Sequence, residues 1–216
     1  MNSDIQQKIE AFFAAYPERV YAKSQLLIHA EETPPGVFYI TEGRVSQYDI
    51  TNAGNEIVVN VFKPGAFFPM STAINSTPNH YFFEASSAVV ARQAPMSDAV
   101  QFLKENPDVV FDLLSRVYRG VDGVLRRMAH LMGGEAKTRL VFELLNAAYR
   151  FGELQPDGSI RISLTENDVA RHSGLARETV NRILRELKAA QLVTITRSNI
   201  TIASTKGLEA TLGNNL

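Results

Sequence analysis

The chain has 216 residues, of which 45% are hydrophobic, and a formal net charge of -1 at pH 7. It contains no cysteine, which excludes disulfides, thiolate-bound zinc and cysteine-ligated iron–sulfur clusters. Residues 1–9 are polar and lack the apolar core of a signal peptide, and no run of about 18 apolar residues predicts a membrane-spanning helix. We therefore expect a soluble, cytoplasmic protein without a membrane partner, long enough for two modest domains.

The charge is distributed unevenly along the chain. Residues 1–132 contain 11 Lys and Arg against 14 Asp and Glu, whereas residues 133–216 contain 11 against 9. A basic excess at one end is a mild indication of a polyanionic partner.

The first half of the chain has the pattern of a β domain. A short helix is predicted over residues 3–15, where apolar residues recur at helical spacing. From residue 20 to residue 94, short β-rich segments alternate with turns rich in Pro, Gly and Asn. The predicted strands cover residues 25–29, 37–39, 44–50, 56–62 and 82–92. Many short strands without a long helix indicate a β-roll or jelly-roll barrel.

After Pro95 the periodicity becomes helical. A short helix is predicted over residues 97–104, and a long one over residues 107–131 that ends at Gly133-Gly134. Apolar residues recur along the long helix in a heptad pattern, which favours a self-associating coiled coil and most simply a dimer. These seam residues are Val110, Leu114, Val117, Val121, Val124, Met128 and Leu131. In the alternative interpretation the seam packs on the chain's own barrel. Four residues beside the seam could make that contact in its place and leave the seam free for a second helix: Phe111, Leu113, Leu125 and Met132.

Gly133-Gly134 is interpreted as a hinge between a sensing half and an effector half. We predict a β-roll sensor domain over residues 1–95, connecting and dimerisation helices over residues 96–133, and a DNA-binding domain over residues 134–216. Within the last of these, a helix is predicted over residues 135–151 and a strand over residues 159–164.

Residues 164–187 have the pattern of a helix-turn-helix. Thr165 can cap a short first helix, Gly174 stands where the turn requires a positive φ, and Leu175 fills that turn. The second helix, predicted over residues 176–190, buries one apolar face composed of Val180, Ile183, Leu184 and Leu187. Two strands over residues 192–196 and 199–202 follow as a β-hairpin, or wing.

The other face of the second helix carries groups suited to DNA. Arg presents a planar guanidinium to guanine O6 and N7, and Glu accepts a hydrogen bond from cytosine N4. Residues near the start of such a helix reach base edges in the major groove, and later ones meet phosphate. The candidate DNA-binding residues are Thr165, Arg177, Glu178, Thr179, Asn181, Arg182 and Arg185. A solvated face with local ion pairs would have the same composition, and the spacing alone does not separate the two interpretations.

Nearly the whole chain resembles the catabolite-activator/fumarate-nitrate regulator (CRP/FNR) family of bacterial transcription factors. The most specific match is Gly174-x-x-Arg177-Glu178-Thr179-Val180-x-Arg182-Ile183-Leu184. The resemblance implies an α+β chain with an N-terminal β-roll (a cyclic-nucleotide-binding-like jelly roll), a long dimerisation helix and a C-terminal winged helix-turn-helix.

The resemblance also implies how the DNA is recognised. Arg177, Glu178 and Arg182 would contact the bases of each half-site, and having all three fits the catabolite-activator branch, which favours TGTGA-like half-sites. In the fumarate-nitrate branch the Arg matching Arg177 is missing and a Ser stands at Asn181. Asn181 departs from both branches, and Ala176 replaces a common phosphate-contacting Ser. The resemblance therefore does not determine which outer bases of the half-site are preferred. The expected partners are a second copy of the chain, double-stranded DNA with an inverted repeat and, for an activator, RNA polymerase.

The resemblance does not extend to the residues that hold a cyclic nucleotide. Family members that bind one follow the Pro-Gly of the roll with a Gly-Glu pair for the ribose, and a later Arg-Ser/Thr pair holds the phosphate. Here Pro69-Met70 and Asn79-His80 stand at those positions, and Val124-Leu125 replaces the Thr-Ser pair that meets the base. A phosphate buried without a cation is unfavourable. We therefore expect an effector other than cyclic AMP, or none.

What remains is an apolar candidate effector pocket. Its residues are Phe67, Phe68, Met70, Asn79, His80, Tyr81, Val124 and Leu125. Three interpretations are open: a roll core without a ligand, an apolar effector, or a haem ligated by His80 or His29. No cofactor is predicted, and haem is the alternative.

We expect no enzyme activity and no metal site. His29 and His80 are far apart in the sequence and stand in no metal-ligand motif, and no nucleophile elbow or phosphate loop is found. The competing binding-module interpretation is a β-roll for signalling or partner binding with a vestigial DNA-binding domain. The presence of Arg177, Glu178 and Arg182 together opposes it.

Overall fold

The computed structural model describes residues 3–52, 54–133 and 135–212, with the backbone alone for residues 126, 127 and 130–133. The chain divides into two compact units, Met1–Gly120 and Val121–Leu216. The division falls inside the long helix that was predicted to dimerise, and the predicted domain boundaries stay predictions.

The first unit begins with a helix and continues mainly as short strands. Its elements are α1 (Ser3–Ala14), β1 (Glu18–Tyr21), β2 (Leu26–Ile28), β3 (Val37–Glu42), β4 (Val45–Ile50), β5 (Glu56–Phe62), β6 (Phe67–Phe68), α2 (Met70–Asn75), β7 (Phe82–Ala85), β8 (Val89–Ala94), α3 (Met96–Glu105) and α4 (Pro107–Gly133). The last of these continues into the second unit.

The strands form two antiparallel four-stranded sheets, in the orders β1-β8-β3-β6 and β2-β7-β4-β5. The turn between β3 and β4 requires a glycine, because Gly43 has a φ of +83° and a Cβ there would lie 2.0 Å from the Ala88 carbonyl oxygen. The predicted β-roll is confirmed.

Two details of the predicted strand pattern are wrong. Residues 82–92 form two strands, since a turn at residues 86–88 separates β7 from β8. The Ser86 amide donates to the Arg44 carbonyl oxygen at 2.9 Å, and the Arg44 amide donates to Ser87 Oγ at 3.1 Å. The elements β1, β6 and α2 are absent from the prediction, because segments of two to six residues contain too few repeats to be recognised.

Aromatic rings fill the space within the roll. Phe68 stacks on Phe38, Phe62 and Phe83, with centroid separations of 5.6, 4.8 and 5.0 Å. Such stacks add to the free energy gained by removing the rings from water.

A second cluster joins the N-terminal and later helices to the roll. Phe13 of α1 stacks on Tyr39 at 4.9 Å, and Val109 and Leu113 of α4 pack into the same cluster. Leu113 therefore makes the contact expected of a helix packed on its own barrel. Phe111 does not, since 74% of its surface is exposed. Leu125 is also exposed, and the side chain of Met132 lies outside the described residues.

The second unit is a bundle of helices with one small sheet. Its further elements are α5 (Ala136–Phe151), β9 (Glu153–Leu154), β10 (Ile160–Ile162), α6 (Glu166–Ser173), α7 (Arg177–Ala189), β11 (Val193–Ile195), β12 (Ile200–Ile202) and α8 (Thr205–Glu209). The strands pair antiparallel in the order β11-β12-β10-β9. The predicted helix-turn-helix and wing are thus confirmed. Of the predicted hinge, Gly133 is the last residue of α4, and Gly134 lies outside the described residues.

Replacement of Phe68 by Ala should destabilise the first unit by about 3–5 kcal/mol, because it removes three ring contacts and leaves a cavity that the sheets can fill only in part. Urea denaturation of both proteins measures the change. Val20→Ala is the matched control, since Val20 is 75% exposed and its loss should change stability by less than about 0.5 kcal/mol. Equal losses for the two variants would contradict the assignment of Phe68 to the core.

Candidate nucleic-acid interface

The first helix of the helix-turn-helix, α6, begins with a capping box. The Asp168 amide donates to Thr165 Oγ1 at 3.2 Å, and the Thr165 amide donates to Asp168 Oδ2 at 2.9 Å. The Thr165 hydroxyl also donates to Asp168 Oδ2 at 2.7 Å. Two amides that the helix leaves without intrahelical partners are thereby satisfied. The local role of Thr165 is that of the predicted cap, and its contact with DNA stays a prediction.

The turn between α6 and α7 is fixed from both sides. Gly174 has a φ of 63°, and its amide donates to the Ala170 carbonyl oxygen at 2.9 Å. Arg139 of α5 donates from Nη2 to the Ser173 carbonyl oxygen at 3.1 Å. Leu175 is half-buried against the core of this unit. These contacts fix the direction in which α7 leaves the turn.

The second helix, α7, has one apolar and one charged face. Its buried residues are Val180, Ile183, Leu184 and Leu187, each at most 1% exposed. The exposed candidate DNA-binding residues are Arg177, Glu178, Arg182 and Arg185. Thr179 and Asn181 are half-buried, and Asn181 Oδ1 is buried without a hydrogen-bond partner in the described part of the chain. The charged face carries hydrogen-bond donors together with the carboxylates of Glu178 and Glu186, and such groups can contact base edges.

Sequence reasoning missed the partner of Arg182. Arg182 Nη1 donates to Glu186 Oε1 at 2.9 Å, and Glu186 Oε2 lies 3.9 Å from Lys137 Nζ of α5. The spacing of four residues between Arg182 and Glu186 could have indicated the first of these contacts.

The wing is a tight β-hairpin. Ile195 of β11 pairs with Ile200 of β12, and the Thr196 amide donates to the Asn199 carbonyl oxygen at 2.9 Å. Arg197 and Ser198 are exposed at its tip.

The predicted effector pocket is largely packed protein. Phe67, Phe68 and Met70 are buried in the two clusters of the first unit, and their role in an effector pocket stays a prediction. Other side chains of these clusters cover the apolar surface that had indicated a pocket. Val124 and Leu125 of the second unit are exposed.

The polar members of that pocket have structural partners. Asn79 is buried, and its Nδ2 donates to the carbonyl oxygens of His29 at 2.9 Å and Tyr81 at 2.7 Å. His80 is exposed, and its Nδ1 lies 2.8 Å from Glu31 Oε1. A carboxylate next to His80 disfavours an anion at this position.

An open cleft of about 760 Å³ lies elsewhere in the first unit, between α2, α3 and the loops that precede β3 and β7. Its walls include Glu31, Glu32, Thr72, Gln101 and Lys104. Of the predicted pocket residues, it shares Asn79. Apolar residues, among them Ala73, Met96 and Val100, complete its walls, so the cleft has a mixed polar and apolar lining.

The residues that the structure describes contain no group of His, Cys, Asp and Glu that could hold a metal ion. Within residues 3–52, 54–133 and 135–212, no helix combines the length and the apolar character that a membrane span requires.

Two family models match separate parts of the chain. A cyclic nucleotide-binding domain matches residues 18–106, and a Crp-like helix-turn-helix domain matches residues 138–211. Among curated relatives, the global nitrogen regulator of Synechocystis is 27% identical over 84% of this chain and 82% of the relative. The cAMP-activated global transcriptional regulator CRP of Pasteurella multocida is 24% identical over 94% of this chain and 97% of the relative.

Solved structures share the fold. The c-di-GMP-responsive global regulator CLP of Xanthomonas campestris aligns with a TM-score of 0.81 and 16% identity, over 92% of this chain and 99% of that one. A transcriptional regulator of the CRP/FNR family from Thermus thermophilus aligns with a TM-score of 0.76 and 20% identity, over 93% of this chain and 100% of that one.

Replacement of Thr165 by Ala should lower the free energy of unfolding of the second unit by about 1 kcal/mol, because the Asp168 amide loses its acceptor at the start of α6. Thr165→Ser keeps the hydroxyl and is the matched control. Thermal unfolding followed by circular dichroism compares the three proteins. A loss of the same size in Thr165→Ser would show that the methyl group, and not the capping hydrogen bond, stabilises the helix.

Proposed function

The chain belongs to the CRP/FNR family of transcription regulators, and we propose that it binds an inverted-repeat DNA site as a homodimer. Its helix-turn-helix is the DNA-binding domain of such a regulator. The observation that carries the proposal is the charged face of α7, on which Arg177, Glu178 and Arg182 are exposed together.

The half-sites that we propose are TGTGA-like. Arg177 and Glu178 lie in the first turn of α7, and Arg182 follows Glu178 by four residues, about one turn later on the same side. Two guanidinium groups and one carboxylate at this spacing match two guanines and one cytosine in the major groove. Thr179, Asn181 and Arg185 flank them, with Arg185 nearer the end of α7 and suited to phosphate.

The dimer that we propose is formed along α4. Six of its seven seam residues are between 40% and 51% exposed in the single chain: Val110, Leu114, Val117, Val121, Val124 and Met128. The side chain of Leu131 is outside the described residues. A stripe of apolar surface in water is unfavourable, at roughly 25 cal/mol per Å², and a second α4 packed on the same stripe would remove it from water.

We further propose that cyclic AMP is not the effector. The positions that bind ribose and phosphate elsewhere in the family carry Met70, which is buried, and Asn79-His80, of which Asn79 is fully engaged with the backbone. Glu31 beside His80 adds a negative charge where a phosphate would need a positive one.

The same contacts bear on the haem alternative. His80 and His29 are both exposed, with His80 Nδ1 hydrogen-bonded to Glu31 and the His29 ring centroid 6.3 Å from that of Phe82. A haem ligated by either histidine would leave much of its apolar surface in water, which is unfavourable. We propose that neither histidine ligates a haem, and that the protein works without a cofactor.

Arg182→Ala should cost about 1–3 kcal/mol in binding to the preferred inverted repeat, and it should remove the preference for one guanine in each half-site. Selection from random duplex pools identifies the site for the natural protein, and a mobility-shift titration measures both proteins on it. The half-sites should lie roughly 10–10.5 base pairs apart, centre to centre, if the protein is a two-fold dimer. Equal affinity of the natural protein for the selected duplex and for a scrambled one would refute sequence-specific binding.

Lys at both Val117 and Val124 should dissociate the dimer, because each charge would face its own copy across the seam. Light scattering at micromolar concentration measures the molar mass, and the titration above should show weaker binding, since the two half-sites are then occupied independently. Val20→Lys adds a charge at an exposed position of β1 and should leave the mass unchanged. A natural protein that is already monomeric at this concentration would contradict the proposed dimer.

Cyclic AMP and cyclic GMP should leave DNA affinity unchanged, because the charged groups that hold a cyclic nucleotide are missing. Calorimetry of the purified protein should show no heat of binding for either nucleotide, and its visible spectrum should lack a haem Soret band. Micromolar binding of cyclic AMP that also tightens DNA binding would overturn this assignment. A Soret band that disappears in His80→Ala would instead support the haem alternative.

A further inference from the structure

Arg182, the central member of the proposed base-contacting set, already has a partner in the protein without DNA. Its Nη1 donates to Glu186 Oε1 at 2.9 Å, one turn further along α7. The second oxygen of Glu186 lies 3.9 Å from Lys137 Nζ on α5. The three side chains are 63%, 44% and 45% exposed, so Glu186 stands between two cations on the surface of the second unit.

The helix itself gains little from this carboxylate. Glu186 lies in the last turn of α7 (Arg177–Ala189), where the negative end of the helix dipole disfavours an acidic side chain. A basic residue four positions before an acidic one is also the weaker of the two orientations of such a pair. The consequence of Glu186 is therefore electrostatic: it offsets positive charge on the face that we assign to DNA.

We propose that Glu186 is a specificity-determining residue, which acts as the alternative partner of the Arg182 guanidinium and competes with DNA for it. The inference rests on the proposed DNA contact of Arg182 and deepens it. To reach a guanine, Arg182 has to exchange its bond with Glu186 for the two acceptors of that base. Binding to the preferred site is weakened by the free energy of the pair that is broken.

The effect on a substituted site is different. Where the guanine is replaced by another base, Arg182 can stay with Glu186, so its charged donors are not left without acceptors. The penalty for the wrong base is thereby reduced. Glu186 lowers affinity for the preferred site and relaxes the preference at the one base pair that Arg182 contacts.

The test compares the natural protein with Glu186→Gln on two duplexes. The first is the inverted repeat selected by the natural protein, and the second differs from it at the base pair where Arg182→Ala loses its preference. One exposed ion pair contributes a free energy that changes an equilibrium constant by a factor of about two to five. Glu186→Gln should therefore bind the first duplex about two- to fivefold more tightly, with a smaller gain on the second.

Two further variants separate this effect from the removal of one negative charge. In the Arg182→Ala background, Glu186→Gln should no longer change the ratio between the two duplexes. Glu153→Gln, which breaks the exposed pair of Glu153 with Arg161 at 2.6 Å, alters the net charge equally and should leave that ratio unchanged. Thermal unfolding and light scattering of each variant show that fold and assembly are retained.

Each outcome decides one question. An equal gain on both duplexes, or a gain that persists without Arg182, would show general repulsion from phosphate and would overturn the inference. No change in Glu186→Gln, while Arg182→Ala weakens binding, would overturn the inference and leave the proposed function intact. If the natural protein does not discriminate between duplexes at all, the proposed function itself fails.

Discussion

The burial of one face of α7 is the packing interaction on which the candidate DNA interface depends. Val180, Ile183, Leu184 and Leu187 pack into the core of the second unit with residues of α5 and α6. Since the side chains of a helix project around its axis at fixed angles, burying these four residues directs Arg177, Glu178, Arg182 and Arg185 towards solvent. The same apolar contacts therefore stabilise the unit and orient the charged face.

The turn before α7 adds a second constraint. Gly174 reverses the chain in a left-handed conformation that other residues adopt at a cost, and Arg139 binds the carbonyl oxygen of Ser173 directly before it. A charge-assisted hydrogen bond from α5 to this turn limits rotation of α6 against α7. Base contacts depend on placement within fractions of an ångström, and these bonds restrict the placement before any DNA is present.

In the first unit, three apolar residues of the predicted effector pocket are core residues of the roll, and the pocket itself stays a prediction. Phe67, Phe68 and Met70 follow the Pro64-Gly65 turn, and a run of apolar residues beside a turn is compatible with a pocket rim. In the structure they are buried among other side chains of the roll. Apolar residues indicate that a surface will be removed from water, and the rest of the fold determines whether protein or a ligand covers it.

Local patterns in the sequence determined much of this architecture. The turns and strand periods predicted the β-roll. Thr165 as a cap and the glycine at 174 predicted the two helices of the motif, and the 3.6-residue period of α7 predicted which side is buried. These features depend on residues a few positions apart, whose relation is set by backbone geometry alone. The short elements β6 and α2 were not predicted, because each contains less than two full periods of the strand or helix repeat.

Contacts between distant residues were decided by the tertiary structure. Asn79 binds the carbonyl oxygen of His29, 50 residues away, Arg139 binds that of Ser173, 34 residues away, and Glu186 meets Lys137 of another helix. Each of these side chains could equally have pointed to water, and no spacing in the sequence separates the two possibilities. Which polar groups meet depends on how the helices and sheets pack, because a hydrogen bond requires two atoms within about 3 Å of each other and in line.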